Sequence, residues 1–254
     1  MLLLDTLPAA TAQVFEHLQG VPHLSGFVLI GGTALSLQIG HRLSQDLDFY
    51  FPADRLPRRA INAALTGART AGFAVRDMLT PAQISQTRIN HGVDLHEWVQ
   101  DWAVNGVKVT FSVFSGYEEQ MRAIAEYPRV PQADANSHFS ILGIEGIFAA
   151  KSSLLTRRAR SRDLFDLYTL LKTHGYSMRQ LFDVIRRIDP MANPDHHRDV
   201  LRGLIPLDAA DEGYAGAGVT VPLSDVYAFF EQRISEYEQE EARRIVMQHR
   251  GQRV

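Results

Sequence analysis

The chain has 254 residues, 45% hydrophobic and 22% charged, which is room for one large domain or two modest ones with ordinary cores. A formal net charge of -3 argues against a protein that coats nucleic acid by bulk charge, although a local basic patch stays open. With no cysteine there are no disulfides, thiolate metal sites or thiol nucleophiles, and the cytoplasm is the default compartment. Asp5 and Pro8 follow Met1 so closely that neither a basic leader nor a long apolar run forms, so no signal peptide or membrane span is expected.

Thr11 to Leu18 reads as a short amphipathic helix with Val14, Phe15 and Leu18 on one side. Phe27 to Ile30 is an apolar run too short for a helix and bounded by Gly31 and Gly32, hence a buried strand. The two glycines let the backbone come close to a ligand. Thr33 is placed to cap a short helix carrying Leu35, Leu37 and Ile39, whose free N-terminal amides suit a phosphate. A second strand is expected over Leu47 to Phe51, where Asp46 and Asp48 alternate with Leu47 and Phe49. Its two-residue period puts both carboxylates on one face. Adjacent carboxylates repel, and a divalent cation such as Mg²⁺ makes the arrangement favourable. A tight turn followed by a solvated acidic edge strand would account for the same residues without chemistry. In this order, strand, glycine pair, short helix and Asp-x-Asp resemble the layout of a nucleotidyltransferase site.

Pro57 to Ala71 carries Ile61, Ala64, Leu65 and Ala68 at helical spacing and ends at Gly72. Phe73 to Met78 reads as a strand, and Thr87 to Trp102, polar and apolar by turns, reads as strand without a defined register. Asn105-Gly106 between two apolar runs predicts a type I′ hairpin. On the strand that follows, Val107, Val109, Phe111 and Val113 are expected to face the core, and Lys108, Thr110 and Ser112 the other way. This strand is expected beside the Asp-x-Asp strand. Thr110, central on its polar face, then stands where a third carboxylate would be sought.

From Ser140 the pattern turns helical, which suggests residues 1–138 as one domain and 139–254 as a second, helical one. Lys151 falls on the same stripe as Ile144, Ile147, Phe148, Leu154 and Leu155. It either snorkels from the edge of that stripe or meets a phosphate across a cleft. The basic connector Thr156 to Arg162 leads into a helix with Ser161 as its expected N-cap, and Asp163 and Asp166 share a face of it. Taken alone, Asp163 complements the helix N-terminus and Asp166 pairs with Arg162. Met178 to Ile188 is a further helix stopped by Asp189-Pro190, and His196 and His197 lack spaced partners and read as surface residues. Asp208 to Thr220 reads as a loop, and Ser224 as the cap of a last helix with Val226, Phe229, Phe230, Ile234 and Tyr237 on its apolar side.

Gly31-Gly32-Thr33-Ala34-Leu35, the run His41 to Phe49, Lys151, and Arg162-Asp163-Leu164-Phe165-Asp166-Leu167-Tyr168 together resemble the AbiEii/AbiGii toxin family, over about residues 10 to 190. These are nucleotidyltransferase-like proteins of type IV toxin–antitoxin systems. The resemblance implies an α+β fold, a mixed sheet flanked by helices, followed by a helical C-terminal half. It also implies a nucleoside triphosphate and Mg²⁺ as ligands, an acceptor such as RNA, including transfer RNA, or protein, and an antitoxin encoded nearby. By it, Asp46 and Asp48 would bind metal, Gly31, Gly32, Thr33, Arg42 and Ser44 the nucleotide, Lys151 a phosphate, and Asp163 or Asp166 would be the base. The competing expectation is a protein that keeps the fold and binds nucleotide or a partner without catalysis, as Thr110 suggests.

Overall fold

The computed structural model describes residues 2–113, 126–130 and 137–251, which form two compact units, Met1–Ile147 and Phe148–Val254. The sequence pattern suggests a boundary at 138/139, and the division between the units falls between Ile147 and Phe148, inside a helix.

The first unit holds α1 (Ala9–Gln19), β1 (Val28–Ile30), α2 (Gly31–Ile39), β2 (Leu47–Tyr50), α3 (Arg58–Thr70), β3 (Val75–Asp77) and α4 (Pro81–His91). β4 (Val99–Val104), β5 (Val107–Ser112), β6 (Ser140–Ile141) and the start of α5 (Ile144–Leu154) complete it. The strands make one six-stranded sheet in the order β3-β4-β5-β2-β1-β6, mixed because β2 with β5 and β1 with β6 run parallel while the other pairs are antiparallel. The fold class is therefore the expected one, a mixed α+β sheet flanked by helices.

Alternation decides which way this sheet faces. Leu47, Phe49, Val109 and Phe111 are fully buried, and Phe49 and Phe111 stack at 5.5 Å between ring centroids. Phe139 meets Phe49 at 4.9 Å and Phe15 of α1 at 5.7 Å, so one aromatic cluster joins sheet and helix. With the odd-numbered residues of β2 and β5 committed to that core, Asp48 and Thr110 must lie on the opposite face.

Local chemistry accounts for the departures from the sequence reading. α2 begins at Gly31 itself, so Thr33 is its third residue and does not cap it; Ile30 at the N-cap has no side-chain acceptor. The stretch from Thr87 to His91, read as strand, is the second half of α4. Its start is written in Thr80, whose hydroxyl accepts from the Gln83 amide while the Gln83 side chain returns to the Thr80 amide, with Pro81 preset for the first turn. The hairpin behaves as read: Asn105 and Gly106 both have positive φ, 48° and 82°.

The second unit is helical: the rest of α5, α6 (Ser161–Thr173), α7 (Met178–Ile188), α8 (Pro194–Arg202) and α9 (Leu223–Gly251), with α9 packed on α6, α7 and α8. Leu164 and Leu170 of α6, Leu181 of α7, Leu201 of α8 and Phe230 of α9 are fully buried in its core. Ser161 opens α6 rather than preceding it, and both its amide and its hydroxyl donate to Asp211 Oδ1 at 3.0 Å. Ser224 likewise lies inside α9, as its second residue. Among the described residues no helix is long and apolar enough to cross a membrane.

His197 is not a surface residue. The period of α8 turns it inward with Val200 and Leu201, 5% exposed and 5.4 Å from the Phe182 ring. Burial, reinforced by the charges of Arg198 and His196, lowers its pKa from 6.5 to about 4. The unfolded chain therefore binds this proton first, so the stabilisation is complete above pH 6.5 and is lost as pH falls towards 4. Denaturant unfolding at pH 7 and pH 5 should show the parent losing about 1–2 kcal/mol more than His197→Leu. Equal losses in the two proteins would remove His197 from the acid response.

Candidate active site

The first turn of α2 lies against β2, and glycine is what allows it. Gly31 has φ +75°, and a Cβ there would stand 3.1 Å from Asp48 Oδ2. A Cβ on Gly32 would be 2.2 Å from Arg42 Nη2, so the Arg42 guanidinium occupies the space a side chain would need. Arg42 is 7% exposed and also donates to the Leu43 carbonyl at 3.0 Å.

Thr33 and Ser44 are buried and fix the main chain at the first aspartate. Thr33 has one hydroxyl proton, which goes to the Asp46 carbonyl, so Ser44 is the donor in the 2.7 Å contact between the two hydroxyls. Ser44 is itself held by its amide to the Thr6 carbonyl at 3.0 Å. Asp46 thus precedes β2 in a braced segment, and Asp48, half-buried, sits within the strand opposite Ile30 of β1 and Thr110 of β5.

Thr110 is the neighbour the sequence points to, and it is not alone. Its hydroxyl donates at 2.8 Å to Asp101 Oδ1 on β4, and Lys108 lies 3.8 Å from the other oxygen of that carboxylate. Ile30, Asp48, Thr110 and Asp101 are successive register partners, a row across four strands on one face. The sequence reading does not single out Asp101, yet its signal is there: a two-residue turn at 105–106 pairs Val104 with Val107, and counting back reaches Asp101 opposite Thr110.

The second unit carries a different cluster. Lys151 of α5 is 5% exposed and neither snorkels nor stands alone: its ammonium meets Asp163, and Asp166 Oδ2 at 2.8 Å. Asp163 also accepts from Arg158 Nε at 2.7 Å. Arg162 does not pair with Asp166; it donates to the Gly213 carbonyl at 3.0 Å and lies 3.4 Å from Glu212. Burial alone would raise the Asp163 carboxyl, but the Lys151 ammonium and the Arg158 guanidinium overcome it and hold the group below the usual carboxylate range. Arg160 of the connector lies 3.6 Å from Asp208.

Any metal at Asp46 and Asp48 would meet hard oxygen donors. Among the described residues no group of three or more His, Asp or Glu side chains is placed to cage an ion. That donor set fits Mg²⁺, which accepts one or two carboxylates and takes its remaining ligands from water and phosphate, and it does not fit a zinc site.

Glycine-backed helix start, braced Asp46 and in-strand Asp48 make the layout of a nucleotidyltransferase. The chain belongs to the nucleotidyl transferase AbiEii toxin family of type IV toxin–antitoxin systems, whose family model matches residues 14–245. It is 23% identical over 228 residues to an uncharacterised Aquifex aeolicus protein, aq_aa25, covering 89% of this chain and 94% of that one. Among solved structures it is similar to JHP933 from Helicobacter pylori, at 15% identity and TM-score 0.47, covering 98% of this chain and 100% of that one. It is also similar to MenT4, the nucleotidyltransferase toxin Rv2826c of Mycobacterium tuberculosis H37Rv, at 18% identity and TM-score 0.45, covering 88% and 86%.

The cluster in the second unit sets a stability cost that any functional test must separate out. Lys151→Met leaves two buried carboxylates without their shared cation and should cost about 3–5 kcal/mol in denaturant unfolding. Adding Asp163→Asn and Asp166→Asn to it should recover a large part of that loss. A Lys151→Met protein as stable as the parent would mean that the buried pairs contribute nothing net.

Proposed function

We propose that this protein is a Mg²⁺-dependent nucleotidyltransferase toxin that moves a nucleotide from a nucleoside triphosphate to RNA, transfer RNA included, or to a protein. The observation that supports the reading is the approach of Asp48 to the glycine-backed first turn of α2, which sets a carboxylate oxygen beside a helix start whose backbone amides suit a phosphate. Asp46 and Asp48 bind the metal in this scheme. A Mg²⁺ held there would supply neutralisation of the triphosphate charge.

Each remaining residue has a role its surroundings allow. Gly31 and Gly32 make room for the Asp48 carboxylate and the Arg42 guanidinium at the start of α2, where the triphosphate is assigned, Arg42 supplies a fixed positive charge, and Thr33 and Ser44 keep Asp46 in place. Lys151 is assigned to phosphate, held ready by Asp163 and Asp166. Asp163 or Asp166 is the base suggested by family resemblance, but its ion pairing makes Asp163 a weak proton acceptor and favours a positioning role. The expected partners are the triphosphate, the acceptor and a cognate antitoxin encoded nearby, with the cytoplasm as the compartment.

A second reading, a catalytically inactive nucleotide- or partner-binding protein of the same fold, rests on Thr110 in place of an acid beside Asp48. Incubation with each labelled triphosphate, Mg²⁺ and total RNA or protein extract decides between them, since only an enzyme labels an acceptor. In calorimetric titration Asp48→Asn should lose Mg²⁺-dependent triphosphate binding by about 100-fold or more while its unfolding midpoint stays near the parent's. Equal triphosphate affinity of the parent with and without Mg²⁺ would end the metal assignment.

A further inference from the structure

We propose that the Thr110–Asp101 pair replaces the missing third carboxylate: Thr110 accepts the hydrogen bond of the attacking acceptor hydroxyl and passes its own proton to Asp101. The inference rests on the nucleotidyl-transfer reading and adds to it the route by which the acceptor loses its proton.

The argument starts from what one hydroxyl can do. A threonine has one O–H to donate and two lone pairs to offer. At Thr110 the proton is committed to Asp101 Oδ1 at 2.8 Å. Towards its other neighbour in the row, Asp48, the oxygen can therefore only accept. Such an oxygen recognises a donor such as a substrate hydroxyl and disfavours a phosphate oxygen, which is the discrimination a carboxylate at this position would make. The charge a carboxylate would carry sits one strand away on Asp101, whose side chain is 25% exposed and is balanced by Lys108 at 3.8 Å.

The alternatives inside the chain are weaker. Asp163 and Asp166 are committed to a buried lysine, and Asp163 also to Arg158. Asp163, buried and held by two cations, has little tendency to take a proton. Asp101, by contrast, is reached from the Asp48 row through a single hydroxyl.

The step balances. The acceptor oxygen bonds to the α-phosphorus, the bond from that phosphorus to the pyrophosphate oxygen breaks, and pyrophosphate leaves with the electron pair. The acceptor proton moves to Thr110 Oγ1 as the Thr110 proton moves to Asp101 Oδ1, and water takes the proton after turnover. Asp101 never touches substrate, so it is a positioning residue acting through Thr110.

The experiment measures label transfer at saturating triphosphate, with triphosphate affinity by calorimetry, for the parent, Asp48→Asn, Asp101→Asn, Thr110→Val, and Thr110→Asp combined with Asp101→Asn. Asp101→Asn and Thr110→Val should each slow transfer about 100-fold with triphosphate affinity within about two-fold of the parent's. In the combined variant the acid stands directly on β5, hydrogen-bonded by the new asparagine amide, and transfer should return to within about ten-fold of the parent. Parent-like rates in Asp101→Asn and Thr110→Val overturn the inference. So does a loss of triphosphate affinity that parallels the loss of rate, or a combined variant no faster than Asp101→Asn, since both mark a merely structural role. If the parent labels nothing, or Asp48→Asn labels as fast as the parent, the nucleotidyl-transfer reading itself fails and the inference with it.

Discussion

The close approach of the first turn of α2 to the strand that follows it is the constraint on which the first unit depends. Three consecutive residues are each tied to a different part of the returning chain: Gly31 to Asp48, Gly32 to Arg42, and Thr33 to Ser44 and the Asp46 carbonyl. The first two contacts need a missing side chain, and the third needs a short hydroxyl. Because β1 and β2 are antiparallel, with Ile30 opposite Asp48, the loop between them has to bring its acidic end back to where the helix starts. Fixing that return also fixes which face of the sheet is acidic, since Phe49 cannot leave the aromatic core without exposing a side chain that is now fully buried.

In the second unit the governing term is charge. Lys151 and Arg158 face Asp163 and Asp166, so two cations answer two carboxylates. Burying one of these groups without its partners would be prohibitive, and burying them together is tolerable because each retains hydrogen-bonded neighbours. The spacing of the two aspartates follows from the helix, since residues three apart share a face and can grip one ammonium. The roles proposed for Lys151 and Asp163 would therefore draw on the same contacts that hold this unit folded. A loss of activity on changing Lys151 has to be measured against the fraction still folded before it says anything about phosphate.

Much of this was legible in the residues, and the reasons for the rest are physical. Alternation over Leu47 to Tyr50 and Val107 to Ser112 was strong because one face is apolar at every step, and the Asn105-Gly106 turn set the register of β4 on β5. Asp101 can be reached from that register by counting, but the sequence reading does not single it out, because Trp102, Ala103 and Val104 mark only the apolar half of the strand. α4 has no buried residue, so no apolar stripe announced it, and only the Thr80 and Gln83 capping pair did. Lys151 is incompletely legible for the opposite reason: it does lie on an apolar stripe, and what makes the place tenable comes from α6, a long-range contact that spacing within one helix cannot reveal. His197 shows the same limit, since its burial depends on Phe182 of α7.

Moving the third negative charge from β5 to β4 changes the energetics of the site before any substrate arrives. Neighbouring strands are about 4.8 Å apart. At an effective dielectric of about 20, two unit charges repel by about 3.5 kcal/mol at that spacing and by about 1.7 kcal/mol at twice the distance. Asp101, two strands from Asp48 and paired with Lys108, therefore strains the apo site much less than an aspartate at position 110 would. The cost appears at the other end of the reaction, because a neutral hydroxyl offers a cation or a developing positive charge less stabilisation than a carboxylate in contact with it. A site built this way would lean on Asp46 and Asp48 for charge and on Thr110 for orientation. Of the two duties a third carboxylate combines, it keeps the acceptance of a proton and gives up most of the direct electrostatic attraction.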